Sequence, residues 1–168
     1  LIEDSRFVRN AALDRVRQAF GSVAAMGNNS TVDGGAYTTW TQAVGNWGHD
    51  SGTQNAARLS RRTGGLLFGA DTQLSNNWRV GALGGYTDSN QSLSDRRSSA
   101  SVRSYHFGVY GGTEWDQLSL RLGASHSWHD ISTQRNVAFS GLSAQSKSDY
   151  DGRTMQGFAD LGYRLDAG

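Results

Sequence analysis

The sequence predicts an all-β membrane fold: an antiparallel transmembrane β-barrel with an N-terminal α-helix in its pore. Three observations carry this. From about residue 36 the hydrophobic period is two rather than 3.6. Five of the six strands so defined have one face without a charge, and tight turns alternate strictly with long polar connections. A soluble meander has no reason to sort its loops by side, whereas a membrane barrel has short turns at one rim and long loops at the other.

Composition narrows the class. The chain has 168 residues with 22 Gly, no Pro and no Cys. Zero Cys excludes a disulfide scaffold and cysteine-ligated zinc. A net charge of +1 gives no basic field for nucleic acid. No apolar run approaches the ~18 residues of a spanning helix. The mean hydropathy of −0.56 points to water, yet a barrel with a polar lumen also averages hydrophilic.

The first element is a helix over residues 1–20. Phe7, Ala11, Ala12, Val16, Ala19 and Phe20 recur at helical spacing, Asp4 or Ser5 can cap the start, and Gly21 can end it. Its other face carries Arg6, Arg9, Arg15 and Arg17 with Asp14. Residues 21–35, with the turn-rich GNNSTVDGG, read as a linker.

Strands follow at about 36–48, 62–75, 78–90, 100–115, 117–130 and 152–165. The turns Ser75-Asn76-Asn77 and Glu114-Trp115-Asp116-Gln117 are tight; 49–61, 90–99 and 131–151 are long and polar. In the first strand parity is ambiguous, because Trp40 and Val44 lie on one face and Tyr37, Ala43 and Trp47 on the other. The uncharged faces of the rest begin with Gly64, Leu66, Phe68, Ala70, Thr72 and Leu74, then Trp78, Val80, Ala82, Gly84 and Tyr86. Tyr105 to Trp115, Leu118 to Trp128 and Met155 to Leu165 continue the pattern. Opposite faces hold Asp71, Arg79, Glu114, Arg121, Asp160 and Arg164.

Tyr105 to Trp115 spans ten residues. At ~3.3 Å per residue and a ~45° tilt this is a height of ~23 Å, close to an apolar band of ~25 Å. Trp78, Tyr105, Trp115, Trp128 and Tyr163 then form aromatic girdles against outer-membrane lipid. A helix needs a bore of ~10–12 Å, and eight strands are just filled by their own side chains. Six strands therefore form only part of the wall, and residues 36–168 read as the N-terminal half of a barrel whose remaining strands follow Gly168.

No metal or cofactor is expected. His126 and His129 point to opposite faces of a strand, Asp149 and Asp151 alone do not make a calcium site, and no Gly-x-Ser-x-Gly is present. The Gly-rich echo of VGALGGY in FGVYGGT precedes no helix and reads as an internal hairpin repeat.

Taken together, VRNAALDRVRQAF, TWTQAVGNWG, Arg62-Thr63-Gly64-Gly65 with LLFGAD, WRVGALGGY, YHFGVYGGTEW, LSLRLGASHSWHDI and GFADLGYRLD resemble the C-terminal translocator domain of autotransporters (type V secretion, pertactin-like barrel). The resemblance covers nearly the whole chain. It implies a twelve-stranded barrel in a Gram-negative outer membrane, with the helix running through the pore from an N-terminal passenger. Barrel-assembly machinery and periplasmic chaperones are the implied partners. The helix then descends from the cell exterior, and the tight turns lie in the periplasm.

Some members of that family release the passenger by self-cleavage after an Asn in the pore helix; the matching position is Asn10-Ala11. The Asn amide can attack its own carbonyl if a nearby group handles protons and water is restricted. Asp71, Glu114 and Asp160 are the candidate acids. Equally, they can form ion pairs with Arg6, Arg9, Arg15 and Arg17 that hold a plug. At most this is a single turnover, not an enzyme. The competing classes are a passive porin or adhesin-type barrel, and a soluble β-sandwich with its uncharged faces as core.

Overall fold

Period-two alternation does build strands here, and each strand pairs with the next. A computed structural model describes residues 2–21, 29–50, 59–74, 77–93, 98–139 and 142–164. The helix α1 (Ile2–Ala19) is followed by β1 (Asn29–Asp33), β2 (Thr38–Asp50), β3 (Leu59–Gln73), β4 (Trp78–Leu93), β5 (Ser98–Trp115), β6 (Leu118–Phe139) and β7 (Leu142–Tyr163). The strands form one antiparallel sheet in sequence order, an open sheet with β1 and β7 at its edges.

Three expectations need correction. The described residues form seven strands, not six: β1 lies within the stretch expected to be a linker and pairs Val32 with Thr39 and Asp33 with Thr38. The helix begins before Asp4 and Ser5, so neither caps it. Its end is as expected, with Gly21 at φ 73° donating its N–H to the Gln18 carbonyl at 3.0 Å. The supposed loop 131–151 is instead a hairpin, paired from Ile131 with Tyr150 out to Phe139 with Leu142. The connections 51–58, 94–97 and 140–141, part of the 75–77 turn, residues 22–28 and the end of the chain from Leu165 lie outside the described residues.

Parity survives intact. Leu66, Phe68, Tyr105, Phe107, Val109, Leu122, Met155 and Leu161 are exposed on one face, while Leu67, Asp71, His106, Tyr110, Arg121 and His129 are buried on the other. The first long strand is no longer ambiguous: Trp40 is 3% exposed and Trp47 is 73% exposed. The second face is covered by α1. Val8, Ala11, Ala12 and Val16 form a core with Trp40, Leu67, Leu83 and Tyr110 from β2 to β5, and the helix also lies against β6 and β7. At 1.5 Å per residue, its 18 residues reach about 27 Å, the height of a barrel's apolar band.

The two short turns lie at one end of the sheet. At the first, the Leu74 N–H donates to the Trp78 carbonyl at 2.9 Å. At the second, Asp116 takes φ 47° in the turn Asp116-Gln117. Asp tolerates this left-handed conformation better than most side chains.

Candidate functional site

Positions 8, 11, 12, 15 and 16 form, with Ser5 at its start, the buried stripe of α1, spaced as an amphipathic helix requires. Four of them are apolar; the fifth is Arg15, only 7% exposed. A guanidinium in an apolar stripe is tolerated only when fully paired. Arg15 Nε and Nη2 donate to Asp71 Oδ2 and Oδ1 at 2.6 and 2.9 Å, a bidentate fork across to β3. Arg79 Nε, from β4, donates to Oδ1 at 2.5 Å, and the Tyr110 hydroxyl, from β5, donates to Oδ2 at 2.9 Å. Tyr110 in turn accepts from Trp40 Nε1 at 2.7 Å.

All four acceptor positions of the Asp71 carboxylate are thus filled, and its side chain is wholly buried. It has no lone pair left to take a proton from Asn10. Tyr110→Phe strands the Trp40 N–H and removes one of four donors from Asp71. The expected cost is about 1–3 kcal/mol, measured as a lowered urea midpoint of the folded barrel.

A second clamp lies nearer the helix C-terminus. Arg17 donates to Asp14 at 2.9 Å on its own helix and to Asp160 at 2.8 Å on β7. Asp160 also accepts from Arg121 at 3.1 Å, and Arg121 lies 3.6 Å from Glu114. Arg15 and Arg17 also suit the negative end of the helix dipole. Asp71, Glu114 and Asp160 all lie within a few residues of the short-turn end of their strands. The helix C-terminus therefore sits at the short-turn rim, and its N-terminus points toward the long connections.

Of the four arginines named from sequence, the structure brings Arg15 and Arg17 to sheet carboxylates, but not Arg6 or Arg9. Arg9 instead donates to Asn10 Oδ1 at 3.3 and 3.4 Å. Asn10 is exposed, Ala11 is buried, and none of the three candidate acids is hydrogen-bonded to either.

The aromatic residues cluster in two rows on the outer face. Trp78 packs edge-on to Trp115 with centroids 6.3 Å apart, near Tyr163, whose hydroxyl donates to Gln117 at 2.6 Å. At the other end Tyr105 packs on Tyr86 at 5.4 Å, and Trp128 on His126 at 4.4 Å.

One arrangement escaped sequence reasoning. Ser104-Tyr-His106 on β5 and Ser127-Trp-His129 on β6 run antiparallel, so each serine faces the other segment's histidine. His106 Nδ1 and the Ser127 hydroxyl are 2.7 Å apart, as are His129 Nδ1 and the Ser104 hydroxyl. Thr87 and Thr154 hydroxyls meet the two Nε2 atoms at 2.9 and 3.0 Å. The repeated Ser-aromatic-His was the available signal. With hydroxyls on both ring nitrogens and no solvent access, these are rungs of a polar ladder, not an activated nucleophile.

A sheet with an apolar outer face, two aromatic rows and a charged inner face seating a helix defines an outer-membrane β-barrel protein. The chain belongs to the autotransporter β-domain family, whose model matches residues 39–168. Two relatives, both named extracellular serine protease of Serratia marcescens, are 37% and 35% identical over 162 residues. The match takes in 96% of this chain and 15% of each relative, so the chain spans about a seventh of their length. No solved structure matches. The family places the domain in the Gram-negative outer membrane as a translocator domain.

Proposed function

We propose that this domain exports and anchors an N-terminal passenger, with α1 as the last segment threaded and afterwards the plug of the pore. The observation that carries this reading is the buried Arg15–Asp71 fork, which fixes the helix to the wall at the short-turn rim. A helix attached there by its C-terminal half, with its N-terminus toward the long loops, has the polarity of a chain that has passed outward. Unpaired strand edges are not tolerated in lipid, so β1 and β7 need strand partners to complete the wall. Periplasmic chaperones and the barrel-assembly machinery are the partners such insertion entails. The names of the two relatives favour an extracellular serine protease as the passenger's class.

The test is electrical. Deleting residues 2–19 from the complete barrel should raise its single-channel conductance in planar bilayers several-fold; an unchanged conductance favours a passive porin with an incidental helix.

Cleavage at Asn10-Ala11 is a second reading, favoured by one observation. Arg9 holds Asn10 by its side-chain oxygen, which leaves Nδ2 without a hydrogen-bond partner among the described residues. A free amide nitrogen is what cyclisation onto the backbone carbonyl requires. Asn10→Ala in the full-length protein then abolishes passenger release; release at the normal rate ends this reading.

A further inference from the structure

On the outer face, the row Leu66–Tyr86–Tyr105–Trp128 runs across β3 to β6 in register and forms the aromatic boundary toward the long-loop end. Two residues further along each strand the row becomes Gly64–Asp88–Arg103–Asp130, so charge begins at once. Two residues further again it reads Arg62–Asn90–Ser101–Ser132. From Tyr105 to Ser101 is four residues, which at ~3.3 Å each and a ~45° tilt is about 9 Å above the aromatic row. That height belongs to the headgroup layer, not to hydrocarbon.

At this level the outer face is hollowed. A cavity of about 470 Å³ is lined by Arg62, Asn90, Ser101, Ser132 and Lys147 among others. That volume lies within the range of small-ligand sites. Arg62 has no ion-pair partner among the described residues. Lys147 shares a loose, exposed pair with Asp149 at 3.6 Å, and Ser132 donates to Asp149 at 2.7 Å; such a pair is easily exchanged for another anion. In the row below, Arg103 is flanked in register by Asp88 and Asp130. The cations facing the hollow are therefore Arg62 and Lys147, set among hydroxyls and amides.

We propose that this hollow binds the phosphorylated sugar headgroup of an outer-leaflet glycolipid. Hydroxyl and amide side chains match a sugar's hydroxyls, and the guanidinium and ammonium match its phosphate. The position selects a lipid over a free solute, because acyl chains attached to a headgroup here fall directly onto the apolar outer face below Tyr105 and Trp128. Bound glycolipid also fixes the depth of the barrel in its membrane.

The test uses the full-length protein, extracted in mild detergent and examined by native mass spectrometry with a bis-phosphorylated glucosamine-disaccharide lipid. Wild type should retain the lipid, and Arg62→Gln/Lys147→Gln should retain at least about five-fold less, the loss expected for charge-assisted contacts. The dephosphorylated lipid should be retained weakly by both. Equal retention by the double variant overturns the site. Equal retention of the dephosphorylated lipid overturns its phosphate specificity, and displacement by millimolar inorganic phosphate overturns the lipid source. If the double variant loses its heat-modifiable gel mobility, Arg62→Gln alone decides on the same readout.

Discussion

Replacing Asp71 by Ala should cost the folded barrel about 3–5 kcal/mol, the usual cost of breaking a buried ion pair from one side, and should open the pore. The carboxylate neutralises Arg15 from the helix and Arg79 from β4, and it accepts the Tyr110 hydroxyl from β5. Without it two guanidinium groups face each other with no counter-charge. Asp160, on β7, cannot replace it, because it already holds Arg17 of the helix and Arg121 of β6. The sheet can relieve its own repulsion by turning Arg79 toward Thr38, whose hydroxyl it already reaches at 2.8 Å. Arg15 has no such escape except to leave with the helix. Two measurements check this: a lower urea midpoint for the refolded barrel, and a conductance approaching that of the helix-deleted form. If both stay at the wild-type value, the apolar stripe alone seats the helix and the fork is dispensable.

The outer face was legible in the sequence because lipid imposes one rule on every strand that crosses it. Leu66, Phe68, Tyr105 and Trp128 follow that rule, and their parity needed no partner to be known. Where lipid does not reach, the rule lapses. Beyond Ile131 and Tyr150 the two arms of the hairpin run on in polar residues, Ser132-Thr-Gln-Arg135 and Ser146-Lys-Ser-Asp149, so its sequence reads as a loop. The short β1 is an edge strand whose described side chains are exposed; only backbone pairing with β2 makes it a strand. Trp40 and Trp47 cannot be told apart from the sequence, since Trp40 is buried only once Gly69, Tyr110 and the helix core close over it. The site was legible by half. Counting charges found Arg15, Arg17, Asp71 and Asp160, because a basic helix inside a wall needs acids. Which arginine meets which acid depends on helix rotation and depth, and these are set by contacts such as Val16 on Gly112 that leave no trace in charge. Tyr110 and Trp40 were missed for the same reason. They are aromatic residues on the polar face, used there as a hydrogen-bond chain from Trp40 through Tyr110 to the Asp71 carboxylate rather than as a girdle.

Gly112 marks how closely the helix approaches. It lies on β5 between Arg79 and Arg121 in register, and a Cβ there would stand 2.5 Å from Val16 Cγ1 and 3.1 Å from the Leu120 carbonyl. Val16 is β-branched and fully buried, so it cannot swing aside as a long side chain could. The sheet's backbone ladder at this position is already complete, which leaves the helix as the part that moves. Gly112→Leu therefore unseats α1 while β5 stays paired. The direct overpacking cost is about 1–3 kcal/mol, and lifting Val16 also draws Arg15, one residue away, off Asp71. The variant should keep its heat-modifiable mobility and yet conduct like the helix-deleted barrel. Gly157→Leu is the matched control, since nothing lies within 4 Å of a Cβ at that outward-facing position. Val16→Ala removes the colliding methyls and should restore part of the closure lost in Gly112→Leu, a coupling that a double-mutant cycle on conductance reads directly. Wild-type conductance in Gly112→Leu, or an equal effect from Gly157→Leu, would show that the helix does not rest on this glycine, and the seat described by Val16, Arg15 and Asp71 would have to be abandoned.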